Sequence, residues 1–272
     1  MSQTNEPRLA VSTWSLHHHL GAPPITSPQD DSSAADVQLL LNLPSQLAEF
    51  GICGLEICHF HLPHRDAAFL AELRAELVKN GIEVNAFLID GGDLNDPQNA
   101  ARDQKWMESY LPVAAKLGAK TARVIAGQGA PTPENLAQSI SALRELSAIA
   151  TQNGVRLTIE NWFPLTSTPA AVRQILESVE NLGLCLDFGN WGGPAKPEKY
   201  DLLRQIAPLA LSCHTKAFFK DGKIEREDFE KCLQMMCDVS FGGVHTLIYD
   251  SGGDEWAGLE IERAVAAPFL RS

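Results

Sequence analysis

Residues 155–190 read VRLTIENWFPLTSTPAAVRQILESVENLGLCLDFGN and contain the unit from which the rest of the chain is built. An apolar run at 155–160 is followed by an amphipathic stretch at 168–183 and by a second apolar run at 182–188. This order predicts a strand, a helix and another strand. Two strands joined through a helix are typical of a parallel sheet.

The same alternation extends to both ends of the chain. Strand-like runs occur at eight places: 8–14, 54–58, 82–89, 121–126, 155–160, 182–188, 209–215 and 244–249. Helix-like stretches lie between them, and five of these end in a glycine that we expect to close the helix: Gly51, Gly81, Gly118, Gly154 and Gly183. Eight strand–helix units predict an α/β fold, a parallel (β/α)8 TIM barrel that forms a single domain over residues 1–272.

One alternative and one insertion accompany this prediction. A doubly wound open sheet is disfavoured because no glycine-rich phosphate loop follows the first strand. Residues 21–36, GAPPITSPQDDSSAAD, are rich in proline, serine and aspartate. We expect a loop insertion near 18–36 that covers one end of the barrel.

The composition narrows the class of partner and the compartment. The net charge of −12 comes from 34 acidic and 22 basic residues, and such a balance disfavours nucleic acid as a partner. No apolar run approaches the roughly 18–20 residues of a membrane span. The six cysteines form no CxxC pair. We therefore expect a cytoplasmic protein with reduced thiols, which binds neither nucleic acid nor membrane.

Three chemically active residues recur at one position of successive units. Asp187 follows Glu160 by 27 residues, and His214 follows Asp187 by another 27. Each stands at or near the end of a predicted strand, the end at which barrels of this type carry their active sites. Together they could bind a divalent cation such as Mn²⁺, Mg²⁺, Zn²⁺ or Fe²⁺. The alternative is that the three are separate capping or hydrogen-bonding residues.

Further polar residues are expected around the same mouth. Lys216 lies two residues beyond His214 and so on the same face of its strand, where it could hold a substrate oxygen or phosphate. Asn190 is expected on the loop above the aspartate. Arg123 interrupts an apolar run, and it either binds an anionic substrate or pairs with a barrel carboxylate such as Glu56.

Histidines and tryptophans are concentrated after the predicted strands. Histidines follow the first strand at 17–19 and the second at 59, 61 and 64. His17 and His61 are the candidates for substrate contact. With the nearby tryptophans they suit a polyhydroxylated ligand, whose apolar face stacks on rings while its hydroxyls form hydrogen bonds.

The chain resembles the xylose isomerase-like TIM barrels, the superfamily of sugar phosphate isomerases/epimerases and endonuclease IV-type proteins. The resemblance is carried by VSTWSLHHHLG, GLEICHFHLP, LIDGGDLNDP, KLGAKTARVIAGQG, TIENWFPLTSTP, CLDFGNW and CHTKAFFKDG. It implies a metal held by a glutamate, an aspartate, a histidine and a second glutamate on strands five to eight. Glu160, Asp187 and His214 match the first three of these ligands.

The fourth ligand does not match. The stretch GVHTLIYDSG places Ile248 where the resemblance expects glutamate, with Asp250 two residues on as a possible displaced ligand. We therefore do not expect epimerisation by the usual pair of glutamate bases, because only Glu160 remains as an obvious base. Trp162 and Asn190 also stand where relatives often have histidine.

The expected function is a metal-dependent sugar or sugar phosphate isomerase/epimerase, acting on a small hydroxy-carbonyl substrate. Glu160 would be the base, and Lys216 and Asn190 would orient the substrate. One alternative is a barrel that has lost catalysis and serves as a sugar-binding or regulatory protein. Another is a metal-dependent lyase on the same scaffold. A homo-oligomer is possible.

Overall fold

The computed structural model describes residues 9–22 and 34–270. Most of the predicted insertion near 18–36 therefore lies outside the described residues. The strands are β1 (Leu9–Ser12), β2 (Gly54–Cys58), β3 (Glu83–Ile89), β4 (Thr121–Val124), β5 (Arg156–Glu160), β6 (Gly183–Asp187), β7 (Ala210–Lys216), β8 (Phe219–Lys220), β9 (Lys223–Ile224) and β10 (Val244–Ile248). The α-helices are α1 (Val37–Phe50), α2 (Ala67–Lys79), α3 (Ala100–Leu117), α4 (Pro133–Gln152), α5 (Pro169–Ser178), α6 (Glu198–Ile206), α7 (Arg226–Asp238) and α8 (Glu255–Ala266).

Eight parallel strands close into a barrel in the order β1-β10-β7-β6-β5-β4-β3-β2. All eight predicted strands are present, and the predicted TIM barrel is confirmed. Apolar residues on the outer faces of the strands pack against the surrounding helices in one large core. The short antiparallel pair β8–β9 follows β7 and was not predicted, because two-residue strands carry no readable periodicity.

The chain turns from helix to strand through left-handed residues. Gly51, Gly81, Gly118 and Gly154 have φ between 69° and 80°, as predicted. The prediction for Gly183 was wrong, because Asn181 takes the left-handed position after α5 with φ 59°. Gly183 instead begins β6, where an added Cβ would lie 2.7 Å from the side chain of Leu211.

Two further expectations concern the whole chain. Within residues 9–22 and 34–270, no helix has both the length and the apolar character that a membrane crossing requires. All six cysteines belong to these ranges and are free thiols, four of them buried.

Candidate functional site

The carboxyl ends of β5, β6 and β7 bring the three predicted ligands to the barrel mouth. Asp187 pairs in register with His214, whereas Glu160 pairs with Cys185 and so stands two residues deeper than Asp187. Equal spacing in sequence is thus not equal height, because strands in a closed barrel are staggered. The side chains nevertheless converge, and all three are buried.

The imidazole of His214 is fixed by a carboxylate that crosses the barrel interior. Its Nε2 lies 2.8 Å from Oε2 of Glu56, whose other oxygen accepts a hydrogen bond of 2.8 Å from Thr246. Because Nε2 carries a proton toward Glu56, Nδ1 is the nitrogen that faces the site. It lies 3.5 Å from Oε2 of Glu160 and 3.8 Å from Oδ2 of Asp187.

The carboxylate of Asp187 is held by backbone and amide groups. The side chain of Asn161 accepts from the backbone N–H of Asp187 at 2.7 Å and donates to its carbonyl at 3.1 Å. The backbone N–H groups of Gly189 and Asn190 both donate to Oδ1, at 2.6 and 2.7 Å. These contacts leave Oδ2 as the oxygen directed to His214.

Arg123 pairs with two carboxylates of the site, and neither is Glu56. Its Nη2 donates to Oδ1 of Asp90, and its Nε lies 3.3 Å from Oε2 of Glu160. The guanidinium carbon lies 5.3 Å from the ring centroid of Trp162. The partner suggested from the sequence was wrong, because Glu56 is already engaged by His214 and Thr246.

Mutual influence between these buried groups sets their charge states. Burial alone would raise the pKa of Glu160, but Arg123 and His214 outweigh it and lower that pKa to about 2. Burial and the neighbouring Glu160 raise the pKa of Asp187. Burial would lower the pKa of His214, whereas Cys185, Glu160 and Glu56 raise it well above its usual value. Without a cation, a proton on His214 therefore offsets the excess of carboxylates.

Lys216 and Asp250 form an ion pair at the outer edge of the mouth. The Nζ of Lys216 donates to Oδ2 of Asp250 at 2.6 Å. Burial would lower the pKa of this lysine, but Asp187 and Asp250 raise it, so the ammonium stays charged. Ile248 pairs in register with Lys216 and lines the same cavity. The position where the resemblance expects a fourth ligand is thus an apolar wall.

The two histidines predicted to contact substrate bind each other instead of lining the cavity. Nδ1 of His17 lies 3.0 Å from Nε2 of His61, and the side chain of His61 is fully buried. Neither lies among the residues of the cavity wall. Their pairing joins the loop after β1 to the loop after β2.

A cavity of about 240 Å³ opens over these residues. Its wall combines the polar groups of β3 to β7 with rings and apolar side chains of β1, β3, β5 and β10, including Trp14, Leu88, Trp162 and Ile248. The volume is just below the range of typical ligand pockets and suits a small molecule. Asn190 also lines it and donates to Oε1 of Glu160 at 2.5 Å.

The donor set fits a divalent cation. Ligand atoms of Glu160, Cys185 and His214 lie within 4.8 Å of one another. This group holds Cys185 in place of the predicted Asp187, whose Oδ2 lies 3.8 Å from Nδ1 of His214. Oε2 of Glu160 is buried and has no hydrogen-bond partner among the described residues. Among the described residues around the mouth, five carboxylates face three basic side chains: Glu56, Asp90, Glu160, Asp187 and Asp250 against Arg123, His214 and Lys216. A cation at Nδ1 of His214 would replace the proton there and offset the remaining negative charge.

The profile of the family described as "Xylose isomerase-like TIM barrel" matches residues 44–267. The chain belongs to this family. The match covers the part of the chain that contains Asp90, Arg123, Glu160, Asp187 and His214. A search of curated proteins finds no relative of significant similarity.

Several solved structures share the fold over nearly the whole chain. One is a protein of this type from Mycobacterium smegmatis in complex with magnesium, with TM-score 0.71, 16% identity and coverage of 100% of this chain and 98% of that one. An L-ribulose 3-epimerase has TM-score 0.73, 18% identity and coverage of 97% and 94%. The probable 3-DHS dehydratase AsbF from Bacillus anthracis has TM-score 0.69, 14% identity and coverage of 95% and 98%. At these identities the likeness shows the fold alone.

Two residues of the candidate site were missed in the sequence. Asp90 directly follows the apolar strand β3, just as Asp187 ends β6, so an acid closing an apolar run was a readable signal. Cys185 carried no such signal, because a cysteine within an apolar strand is ordinarily a core residue. Only the register between β5 and β6 places it level with Glu160.

Proposed function

We propose that this protein is a metal-dependent isomerase or epimerase of a small hydroxy-carbonyl sugar. The observation that carries the proposal is the convergence of Glu160, Asp187 and Nδ1 of His214 at a cavity of about 240 Å³, with Nε2 of His214 held by Glu56. Sugar epimerases among the solved structures of the same fold are consistent with it.

The residues have distinct roles in this proposal. Glu160, Asp187 and His214 hold the cation, with water or Asp250 completing its shell. The bound cation would polarise the substrate carbonyl and stabilise negative charge on its oxygen. Glu160 is ionised at neutral pH and accepts the proton from the carbon next to the carbonyl. Lys216 is charged and donates a hydrogen bond to a substrate oxygen, while Asn190 orients the substrate.

Ile248 removes the second glutamate of the usual pair of bases and leaves Glu160 as the obvious one. An aliphatic side chain cannot return a proton to the opposite face of the carbon. A transfer between neighbouring carbons on one face, as between an aldose and a ketose, needs only Glu160 as the base at carbon, while the proton between the two oxygens is exchanged with water. The same group would serve an elimination, and the fold shared with a probable dehydratase keeps a lyase as a variant of this proposal.

Solvent exchange tests the proton transfer without knowledge of the product. The protein is incubated in D₂O with Mn²⁺ and a panel of ketoses and aldoses, and deuterium at the carbon next to the carbonyl is followed by NMR. We expect exchange with at least one sugar and its loss on chelation. Glu160→Gln should abolish it, whereas Glu180→Gln, on a loop outside the cavity, should leave it unchanged.

A second candidate, a sugar-binding barrel without turnover, is favoured by Ile248 in the cavity wall and by the low pKa of Glu160, which makes it a weak base. Sugar binding without exchange in the wild type would support this candidate over the enzyme. Ile248→Glu then shows whether one carboxylate restores the reaction. Ile248→Gln is the matched control, since it has the same size without a charge.

The compartment and the partners follow from the same proposal. A cytoplasmic location is supported by six free cysteines. A carbohydrate as the partner is supported by the cavity and by the neighbours of the same fold. A homo-oligomer remains a hypothesis that sedimentation would test.

A further inference from the structure

The wall formed by β3 and β4 contains unused hydrogen-bonding groups on both members of an ion pair. Asp90 and Arg123 are each about 3% exposed, and both line the cavity. Asp90 uses Oδ1 for Nη2 of Arg123, while its Oδ2 has no hydrogen-bond partner among the described residues. Nη1 of Arg123 is likewise without a partner in that part of the chain. Buried polar atoms are rarely left unpaired, so these two atoms need a partner from outside the described residues.

The pair is held rigidly in place. The backbone N–H of Asp90 donates to Nδ1 of His59 at 3.1 Å. Arg123 is fixed from the other side by Glu160 and by the ring of Trp162. Asp90 thus keeps one carboxylate oxygen, an acceptor, and Arg123 one guanidinium nitrogen, a donor, that no described residue engages.

We infer that Asp90 and Arg123 form a subsite for a hydroxyl or a pair of neighbouring hydroxyls, and that the substrate is an uncharged sugar or polyol. A hydroxyl both donates and accepts, so hydroxyls suit both the acceptor Oδ2 of Asp90 and the donor Nη1 of Arg123. A phosphate or carboxylate group only accepts, and it would leave Oδ2 unpaired while repelling Asp90. The other carboxylates of the wall, Glu160, Asp187 and Asp250, add to this repulsion.

This inference rests on the proposed function for the site and narrows it, since the sequence left sugars and sugar phosphates open. Asp90 is here a specificity-determining residue. Of the described groups that line the cavity, Arg123 and Lys216 are the cations that a phosphate would seek, and both already face carboxylates.

Matched pairs of sugars test the subsite by calorimetry in the presence of Mn²⁺. The panel contains neutral ketohexoses and ketopentoses, each with its terminal phosphate ester, for example D-fructose and D-fructose 6-phosphate. We expect neutral sugars to bind at least tenfold more tightly than their esters. Tighter binding of the esters, or binding of no neutral sugar in the panel, would overturn the inference.

The variant Asp90→Asn separates the subsite from the general fold. It should weaken the neutral sugar about tenfold or more and reduce the discrimination against the ester. Glu83→Gln is the control, because it removes a charge from the other end of β3. If Asp90→Asn does not fold, the wild-type comparison alone decides. Neutral sugars that bind but show no solvent exchange would count against the isomerase and leave the subsite standing.

Discussion

Asn161 is the residue on which the position of Asp187 depends. It is fully buried, and its amide replaces a strand partner by bonding both the N–H and the C=O of Asp187. The adjoining Glu160 and the carboxylate of Asp187 are thereby brought together at the ends of β5 and β6. Asn161 acts through Asp187, so it is a positioning residue.

Replacing this amide should lower both the free energy of unfolding and the affinity for metal. Asn161→Leu leaves two backbone groups of Asp187 unpaired, and we expect a loss of about 2–4 kcal/mol in the free energy of unfolding, measured by urea denaturation. Binding of Mn²⁺ should also weaken. The control is Asn42→Leu at an exposed position of α1, which should change stability by less than about 0.5 kcal/mol. Equal losses in both variants would contradict this role.

At the scale of elements, α6 and α7 are joined by a buried charge. Lys199 is fully buried, and its Nζ lies 2.6 and 2.9 Å from the two oxygens of Asp228. Tyr200 also donates to Asp228, at 2.6 Å. A buried ion pair gives little net stability, but loss of one partner leaves an uncompensated charge.

Neutralising Asp228 should therefore destabilise the contact between α6 and α7. For Asp228→Asn we expect a loss of about 3–5 kcal/mol, measured by chemical denaturation. Asp201→Asn, on the exposed side of α6, removes the same charge and should have little effect. A small loss for Asp228→Asn would show that the cluster tolerates an unpaired lysine.

The contact of β7 with β10 predicts a pH dependence of stability. Nδ1 of His245 lies 3.1 Å from Oγ1 of Thr215, and burial lowers the pKa of His245 from 6.5 to about 4. Between these values the unfolded chain binds a proton that the folded chain does not. Stability from this group is therefore complete above about pH 6.5 and is lost as the pH falls toward about 4.

Removing the imidazole should reduce that loss. Between about pH 7.5 and pH 5 the wild type is expected to lose about 2 kcal/mol through His245, as measured by urea denaturation at each pH. His245→Asn keeps an acceptor near the position of Nδ1 but cannot be protonated, so its loss should be smaller by that amount. His64→Asn, in an exposed loop, should behave like the wild type. Parallel pH curves for all three proteins would refute the assignment.

At the scale of the whole molecule, metal binding should stabilise the barrel. A cation that binds only the folded protein adds about 2.7 kcal/mol at a hundredfold excess over its Kd. For a chain of this size that raises Tm by roughly 5–10 °C. Scanning calorimetry with Mn²⁺ and with chelator measures the shift. His214→Gln should abolish the shift in Tm. His19→Gln should keep it, because the imidazole of His19 bonds Gln46 and is not a predicted ligand.

The repeat of strand and helix made the architecture predictable, since each apolar run and each helix reports its own periodicity. The convergence of Glu160, Asp187 and His214 was also readable, because barrel strands bring their ends together. The contacts of Arg123 were not, because they depend on the height of each strand in the ring. The same holds for His61, whose burial is set by loop packing that leaves no periodic signal.

Each wall of the cavity belongs to a different repeat. Asp90, Arg123, Glu160, Asp187 and His214 come from five consecutive units of the ring. Chimaeras that exchange a single unit with a family relative would thus alter one side of the binding space and retain the others. The sugar specificity of the cavity can in this way be changed one unit at a time. The β3–β4 unit is the natural first exchange.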